Sequence, residues 1–470
     1  MGTDSTPLDY FRELSKIPRV SGNEKAAADF VQRVSESAGC HVYRDAMHNL
    51  IVTKPGSPGC EDAPAFMLQG HLDMVAEADP GVNHDFAVDP ICLVEEDGIL
   101  RAKGTTLGAD DGIAVAIMLR VLTDEHIVHP PLECVFTVQE ETGLYGAMAL
   151  DTSRLKARRM LNLDAGPEGI FVASCAGGCR VSLERPLTWK EASQPMWQIE
   201  ISGLEGGHSG GAISRQGGNA LVICGILLDA IMQAGGCAGC VHGGDKDNVI
   251  PNRAEADFSF EGDPDAILEP VKQKILETWL PTDANLQIRW HPSDANRVLS
   301  AEDGEALVSL LRLLPHGVFS RSPQMPDVPE SSANLASVHT NEDLCIGLSL
   351  RSSSDFRKEM LIRQVEKLAK IFGASCRFSG VYPGWRYAPE SKLRDVARQA
   401  FETVYGYTPQ IQGIHAGLEC GVLKRAIPDL DIIATGPKYG AMHTTSEWMD
   451  IASVTQIYEF VKELLRHFAQ

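Results

Sequence analysis

The sequence predicts an α/β fold in which a mostly parallel sheet is flanked by helices and carries an inserted α+β lid domain. Strand-like and helix-like segments alternate over residues 1–185, which is the pattern of parallel strands joined by helical crossovers. From about Trp197 this alternation gives way to an α+β pattern, and it returns near residues 382–385. We therefore expect one domain built from residues 1–185 and 385–470, with residues 186–384 as the insertion.

Apolar periodicity predicts the elements of the interrupted domain. Apolar residues at helical spacing indicate helices at residues 7–15 and 23–38, the second opened by Ser21 or Asn23 as a cap. Short apolar runs indicate strands, and helical patterns separate several of them. The remaining elements are strands at residues 49–53, 65–68, 132–139, 159–163 and 430–435, and helices at 112–122, near Tyr145, and at 391–405.

The inserted domain is predicted to be a mixture of strands and helices. Its Pro-rich stretch 322–331 is typical of a loop. The α/β pattern that resumes afterwards contains His443, so we expect the last segment to pack onto the first. The predicted strands are residues 197–201, 254–260, 286–290 and 345–350, and the predicted helices are 219–233, 265–279 and 356–372.

Composition and charge indicate which classes of binding partner are unfavourable for this chain. At 470 residues, with 44% hydrophobic and 22% charged residues, the chain has the size of two or three soluble domains. The net charge of −21 argues against nucleic acid and anionic membranes. Twelve cysteines without a framework spacing fit reduced thiols, so we expect a cytoplasmic protein. Residues 1–6 match a loose myristoylation pattern, which we interpret as accidental because no basic cluster follows.

Five segments carry side chains that bind divalent metals. They contain His71 with Asp73, Asp110, Glu140 with Glu141, Asp164, and His443. Three of the segments follow predicted strands, at the edge where an open α/β sheet places its site. Mixed nitrogen and oxygen donors suit zinc or a similar ion. The surplus of carboxylates indicates hydrolysis by metal-activated water.

Each of these residues also has a simpler interpretation. Asp73 can orient the His71 ring, because residues i and i+2 of an extended segment share a face, whereas a surface His in a turn is the alternative. Asp111 can cap the helix that follows, which would leave Asp110 free to bridge two ions. Composition does not settle which of these two aspartates caps the helix and which binds metal.

Glu140 and Glu141 are adjacent, so one can bind metal while the other acts as general base. The alternative is a pair of solvated acids before a turn. The apolar run that precedes them favours a buried strand end, and therefore the functional interpretation.

His208 lies in a glycine-rich loop at residues 205–211, and we expect this loop to deliver it to an oxyanion. Residues 207–211 also fit G-x-S-x-G, the elbow of serine hydrolases, with Ser209 as the nucleophile. That elbow should follow a buried strand directly, but residues 203–206 intervene here.

The chain resembles the aminoacyl-histidine (Xaa-His) dipeptidases, which belong to the dizinc aminoacylase and carboxypeptidase-type peptidases. The motifs that carry the resemblance occur in the family's order: HLDMV, GTTLGADDG, VQEETGLYGA, LNLDAG, EGGHSGG, NVIPNRA, PESSANLA, AGLECG and MHTTSE. They span nearly the whole chain. The ESSANLA and AGLECG segments point to this branch in particular.

The resemblance implies a metal site with two Zn²⁺ ions or other divalent ions such as Mn²⁺ or Co²⁺. His71 and Asp164 would hold one ion, Glu141 and His443 the other, and Asp110 would bridge them. The family commonly has Asn at the position of Asp111, which adds a negative charge here.

The resemblance also implies roles around the metals. Asp73 would orient a ligand, Glu140 would be the base, and His208 would stabilise the oxyanion. The implied substrate contacts are Arg351 with the carboxylate, Asn248, and Glu419 toward the free amine.

We therefore expect a cytoplasmic dizinc dipeptidase that acts on small peptides with a free N-terminus, such as the Xaa-His dipeptide carnosine. A metal-bridging hydroxide would attack while Glu140 serves as general base. An N-acyl amino acid deacetylase would share every metal ligand, a serine hydrolase would use Ser209, and a binding protein would hold metal without turnover. The sequence leaves the oligomeric state open, with a homodimer as one alternative.

Overall fold

The computed structural model describes residues 5–469, which form two compact units. The first unit contains residues 5–174, 385–413 and 418–469, and the second contains residues 175–384 and 414–417. Most of the myristoylation pattern, residues 1–4, lies outside the described residues. The first unit is thus discontinuous in sequence.

The first unit contains an eight-stranded sheet whose four central strands are parallel. On one side two strands extend it in antiparallel fashion, and on the other side the next strand is again antiparallel. The order across the sheet is His41–Arg44, Leu50–Lys54, Leu132–Thr137, Phe66–His71, Arg159–Asn162, Asp431–Ala434, Ile170–Cys175 and Gln410–Ile414. The predicted α/β class is confirmed, with the parallel pairing confined to the centre.

Burial explains why the centre of this sheet is parallel. Every residue of Phe66–His71 and of Leu132–Thr137 is buried, as expected for strands covered by helices on both faces. The helix Ala109–Thr123 is likewise apolar around its circumference and buried along most of its length. The helices of the unit are Pro7–Leu14, Lys25–Ser37, Ala109–Thr123, Tyr145–Ala149, Lys392–Tyr405, Glu419–Ala426 and Ile451–Phe468, with a 3₁₀ turn at Thr152–Arg154.

A small four-stranded sheet brings two distant stretches of the first unit side by side. Its order is Tyr439–Gly440, Trp448–Asp450, Ile99–Ala102 and Leu93–Glu96, and all three pairings are antiparallel. The turn that contains His443 joins the first two strands. The segment leading to Asp110 follows the third.

The second unit is built on a nine-stranded sheet in which every described pairing is antiparallel. Apolar faces of the sheet and its helices form a separate core. The strands are Gly177–Pro186, Met196–Ser202, Cys237–Gly243, Ala254–Ser259, Gln287–Pro292, Gly317–Arg321, Pro329–Thr340, Asp343–Ser352 and Ser375–Tyr382. The helices are Ser209–Ala212, Ala220–Gln233, Asp265–Trp279, Ala301–Leu313 and Asp355–Ile371, with a 3₁₀ turn at Ile213–Arg215. Two short strand pairs join Trp189–Glu191 to Arg297–Leu299 and Gly207–His208 to Val249–Ile250.

The second unit begins at Cys175, before the predicted boundary at residue 186. The reason is the strand Gly177–Pro186, which pairs with Asp343–Ser352 and Ser375–Tyr382. The predicted loop at 322–331 is wrong at its end, because a strand already begins at Pro329.

Within residues 5–469 no single helix is long and apolar enough to cross a membrane. One bent pair, Ser209–Arg215 with Ala220–Gln233, passes the same test by length and composition alone.

Candidate metal centre

The candidate ligands of the first unit lie at the carboxyl ends of its parallel strands. His71 ends Phe66–His71, Glu140 and Glu141 follow Leu132–Thr137, and Asp164 follows Arg159–Asn162. Carboxyl ends of neighbouring parallel strands meet at one edge of a sheet, which is why distant segments converge here. Asp110 is contributed by the first turn of Ala109–Thr123, and His443 by the turn of the small sheet.

Asp110 lies between the two histidines. Its Oδ1 is 3.3 Å from Nε2 of His71, and its Oδ2 is 3.3 Å from Nε2 of His443. Asp164 Oδ1 approaches His71 Nε2 to 3.9 Å, and Glu141 Oε1 approaches His443 Nε2 to 2.9 Å. The structure therefore brings all five sequence-predicted metal ligands together.

These side chains form three overlapping groups that could each hold a metal ion. Within each group the donor atoms lie no more than 4.8 Å apart. The groups are His71 with Asp110 and Asp164, His71 with Glu140 and Glu141, and Asp110 with Glu141 and His443. Asp110 is shared by the first and third groups.

The donor set fits divalent metal. Oε1 of Glu141 is buried and accepts no hydrogen bond within residues 5–469, although an imidazole nitrogen is close by. Such an oxygen is costly to bury unless a cation or a donor satisfies it. Imidazole together with carboxylates is a ligand combination of zinc and related ions.

The pKa values of the histidines show that the cluster favours positive charge. Burial alone would lower the pKa of His71, but contacts with Asp110 and Asp73 raise it well above the usual value. Contacts with Asp110 and Glu141 raise the pKa of His443 to about 10. Burial raises the pKa values of Asp164 and Glu140 well above the usual carboxyl range, and neighbouring carboxylates add to the shift.

Asp73 is fully buried and contacts more than the histidine. Its Oδ1 lies 3.4 Å from Nδ1 of His71, and it also accepts hydrogen bonds from the backbone N–H groups of Glu140 and Glu141 at 3.0 and 3.2 Å. Ser21 Oγ donates to the same carboxylate. One side chain thus connects three candidate site residues.

Asp111 does not cap the helix as the alternative interpretation allowed. Its carboxylate accepts a hydrogen bond from the backbone N–H of His71 at 3.1 Å, and the residue at the N-cap position of the helix is Gly108. Burial raises the pKa of Asp111 well above the usual range.

Glu419 is completely buried in the first unit. Thr137 Oγ1 donates to it at 2.6 Å and Gln69 Nε2 donates as well, while its Oε1 has no hydrogen-bond partner within the described chain. Burial raises the pKa of Glu419 to about 7. Its unpaired oxygen is suited to a cationic or donor group.

The other candidate residues belong to the second unit. His208 precedes the short helix Ser209–Ala212, and its Nδ1 accepts a hydrogen bond from Gly210 N–H at 3.2 Å. The carbonyl of Asn248 accepts from Ser209 N–H at 2.8 Å. Arg351 is buried on Asp343–Ser352, and its Nε has no hydrogen-bond partner among the described residues.

Ser209 is buried, and its hydroxyl makes no hydrogen bond within residues 5–469. A serine nucleophile needs a base within hydrogen-bonding distance. The geometry therefore gives the serine-hydrolase interpretation no support.

Two buried residues near the site, Glu447 and Arg19, were not predicted from the sequence. Glu447 is buried and accepts hydrogen bonds from the loop before Asp110, and Arg19 is buried beside the same loop. A signal for Glu447 was its place in the MHTTSE motif. A charged residue in the otherwise apolar stretch Ile17–Val20 was the signal for Arg19.

An α/β sheet with clustered imidazole and carboxylate groups at its carboxyl edge is an arrangement typical of metal-dependent hydrolases. Residues 67–467 match the model of peptidase family M20/M25/M40, and the chain belongs to this family. It is therefore a metallopeptidase, and the family resemblance drawn from the motifs is confirmed.

Two proteins that are more than 30% identical to this chain match nearly its whole length. The cytosol non-specific dipeptidase of Escherichia coli (strain K12) is 33% identical over 469 residues, covering 97% of this chain and 96% of that protein. The crystal structure of aminoacylhistidine dipeptidase from Vibrio alginolyticus matches with a TM-score of 0.91 and 31% identity, covering 99% of this chain and 98% of that one. Aminopeptidase PepT from Bacillus cereus, 19% identical with a TM-score of 0.59 and complete coverage of both chains, shares the fold.

Proposed function

We propose that the chain is a dizinc dipeptidase that hydrolyses dipeptides with a free N-terminus, including Xaa-His dipeptides such as carnosine. The observation that carries the proposal is the position of Asp110, which presents one carboxylate oxygen to each of two histidines. A carboxylate shared in this way suits a pair of ions better than one. Mn²⁺ or Co²⁺ could replace zinc in the same donor set.

The ligands divide into two sets around Asp110. His71 and Asp164 would hold one ion, and Glu141 and His443 the other. When bound, the ions would supply Lewis acidity that polarises the peptide carbonyl and lowers the pKa of water.

Glu140 is proposed as the general base. It lies in one group with His71 and Glu141, and Asp73 fixes its backbone through a hydrogen bond of 3.0 Å. In the proposed sequence Glu140 takes a proton from the attacking water and then passes it to the leaving amine. Asp73 keeps His71 oriented throughout.

The substrate contacts follow from charge. Glu419 would meet the free amine, since its buried carboxylate retains an unpaired oxygen. Arg351 would meet the carboxylate of the dipeptide, and its buried Nε likewise lacks a partner among the described residues. His208 would stabilise the oxyanion, and Asn248, next to the His208 loop, would contact the substrate. The second unit would then act as a lid, which is the role proposed for the insertion of residues 186–384 between 1–185 and 385–470.

Two proteins similar to this chain support a dipeptide substrate and a cytoplasmic location. One is named a cytosol non-specific dipeptidase and the other an aminoacylhistidine dipeptidase. A deacetylase of N-acyl amino acids is the second candidate, because it would need the same metal ligands. Glu419 favours the dipeptidase, since an acylated amine carries no positive charge for a buried carboxylate to pair with. Small peptides are thus the proposed partners, the net charge of −21 argues against nucleic acid and anionic membranes, and a homodimer is left open.

The test combines metal analysis with a substrate panel. Purified protein is analysed for bound metal, stripped with a chelator, reloaded with Zn²⁺, Mn²⁺ or Co²⁺, and assayed on dipeptides, N-acetylated dipeptides and N-acyl amino acids. We expect two equivalents of metal per chain and turnover of unblocked dipeptides only. Preference for N-acyl amino acids would establish the deacetylase, and metal binding without any turnover would establish a binding protein.

A further inference from the structure

The carboxylate of Glu447 holds the turn that carries Asp110. Its side chain is 2% exposed. Oε2 accepts hydrogen bonds from the backbone N–H groups of Leu107 and Gly108 at 2.7 and 2.9 Å, and Oε1 accepts from those of Ala109 and Asp110 at 2.9 and 3.3 Å. Four consecutive peptide groups therefore converge on one carboxylate.

Glu447 belongs to the same short segment as His443. Both lie between the strand Tyr439–Gly440 and the end of Trp448–Asp450, which pair with each other, and the second of these pairs with Ile99–Ala102. The hydrogen bonds of Glu447 thus connect the segment of one candidate ligand to the turn of another. The two are far apart in sequence, so no local contact could set their spacing.

Arg19 connects the same turn to a third segment. Its guanidinium is buried and donates hydrogen bonds to the backbone carbonyl groups of Leu72, Asp73 and Gly108. Its positive charge interacts with Glu447, which reduces the cost of burying that carboxylate. Gly108 and Gly112 leave room for it, because a Cβ at either position would meet Arg19 Nη2.

Helix capping alone does not account for this arrangement. A carboxylate at a helix N-terminus stabilises the first turn by satisfying its free N–H groups. Here two of the four donors, Leu107 and Gly108, precede the helix Ala109–Thr123. The contacts therefore fix the approach to Asp110 as well as the helix itself.

We infer that Glu447 is a positioning residue that sets the spacing between Asp110 and His443, and so prepares the shared carboxylate to meet two ions. The inference rests on the proposed metal sites. It assigns no contact between Glu447 and the ions. Carboxylates that hold ligand segments by hydrogen bonds typically change metal affinity or activity by about 10–100-fold when they are removed.

The first unit provides a matched control. Glu133 is 4% exposed and accepts hydrogen bonds from the backbone N–H groups of Lys156 and Ala157 at 2.9 and 3.0 Å. It lies near the start of the strand Leu132–Thr137, at the opposite end from Glu140. Glu133→Gln removes the same kind of contact without touching a ligand segment.

The experiment compares Glu447→Gln, Glu447→Asp and Glu133→Gln with the unmodified protein. Co²⁺ affinity is measured by chelator competition, the Co²⁺ absorption spectrum is recorded at saturation, and thermal unfolding is followed without metal. We expect Glu447→Gln to weaken Co²⁺ binding about 10–100-fold and to alter the spectrum. Glu133→Gln should lose thermal stability while its affinity and spectrum stay unchanged.

The outcomes distinguish the proposed metal sites from the positioning role of Glu447. Failure of the unmodified protein to bind Co²⁺ would overturn the proposed metal sites themselves. If it binds Co²⁺, the positioning role is wrong when Glu447→Gln retains the original affinity and spectrum, or when Glu133→Gln changes both equally. Should Glu447→Gln not fold, Glu447→Asp decides by the same criteria, because its shorter side chain keeps the charge but cannot reach all four donors.

Discussion

The two units hold their candidate functional residues in different ways. In the first unit the candidate ligands end parallel strands or lie in turns, and buried carboxylates accept hydrogen bonds from the backbone N–H groups of Glu140, Glu141 and Asp110. In the second unit His208 lies in the segment 205–218, called the His208 loop below. Asp283 holds its two ends by accepting hydrogen bonds from Glu205 and Gly218 N–H at 2.9 and 2.8 Å, and its short strand Gly207–His208 pairs with Val249–Ile250.

The difference concerns what each carboxylate restrains. Glu447 accepts hydrogen bonds from four consecutive peptide groups of the turn that carries Asp110, whereas Asp283 holds the two ends of the His208 loop and Val249–Ile250 pairs with its strand. A metal site needs fixed distances between donors, whereas an oxyanion donor must be aimed at the position where negative charge develops. The first unit is therefore expected to control metal binding and the second to affect turnover and substrate binding without affecting metal content.

The largest effect is expected for Glu140→Gln in the first unit. It should reduce turnover by about 10²–10⁴-fold, because the proposed base is lost while the metal ligands remain. Turnover and bound metal are measured together. Its neighbour provides the contrast, since Glu141→Gln should lose metal as well. Near-normal turnover of Glu140→Gln with metal bound would remove Glu140 from the mechanism.

His208→Ala tests the second unit. The expected loss of turnover is about 10²–10³-fold, the typical effect of removing one oxyanion donor, with metal content unchanged. The adjacent Ser209→Ala is the control and should retain activity, because the Ser209 hydroxyl has no partner within residues 5–469. If Ser209→Ala were inactive and His208→Ala active, the result would indicate a serine nucleophile.

Arg351→Ala should chiefly affect binding. Loss of a charged hydrogen bond to the substrate carboxylate is worth about 1.5–3 kcal/mol, which corresponds to a rise in KM of roughly 10–100-fold. For dipeptide amides, which lack that carboxylate, the KM of the variant should change little. The control is Arg377, an exposed residue of the strand Ser375–Tyr382 that forms an ion pair with Glu184. Equal loss on acids and amides would refute the assignment.

The smallest effect is expected for Asp283→Asn. An amide nitrogen would face one of the two backbone N–H groups, so the His208 loop should open more often. Hydrogen exchange at residues 205–218 should accelerate, and metal affinity should stay the same. Asp303→Asn is the matched control, because Asp303 is equally buried and accepts a backbone hydrogen bond from Thr188, away from this loop. Unchanged exchange at 205–218 would show that Asp283 does not hold the loop.

The sequence was most informative where an apolar strand ended in a polar motif. Leu132–Thr137 and Arg159–Asn162 were predicted because they are short apolar runs, and the ligands that follow them therefore converged as expected. Pro329–Thr340 was missed, and its first residues were predicted as a loop, because serine and asparagine occupy a strand that is buried almost throughout. Its polar groups are compatible with burial only through tertiary contacts such as Ser332 Oγ with His415 Nε2 at 2.7 Å.

The supporting residues of the site could not be predicted in the same way. Glu447 accepts hydrogen bonds from backbone groups more than three hundred positions earlier in the chain. Every residue except proline has a peptide N–H group, so the sequence does not indicate which of these groups a distant carboxylate contacts. Arg19 is similar, since all three of its hydrogen bonds go to carbonyl groups. The strands specify the ligands by local pattern, but the contacts that fix their spacing exist only in the folded unit.

The order of strands in the first unit also bears on when the protein becomes active. Asp431–Ala434 lies between Arg159–Asn162 and Ile170–Cys175. These two strands are synthesised early, but the strand that separates them is synthesised near the end of the chain. During translation the ribosome releases the second unit before that gap is filled and before His443 emerges. With His443 as a proposed metal ligand, we expect hydrolytic activity only once Asp431–Ala434 and the turn of His443 have folded onto the rest of the first unit.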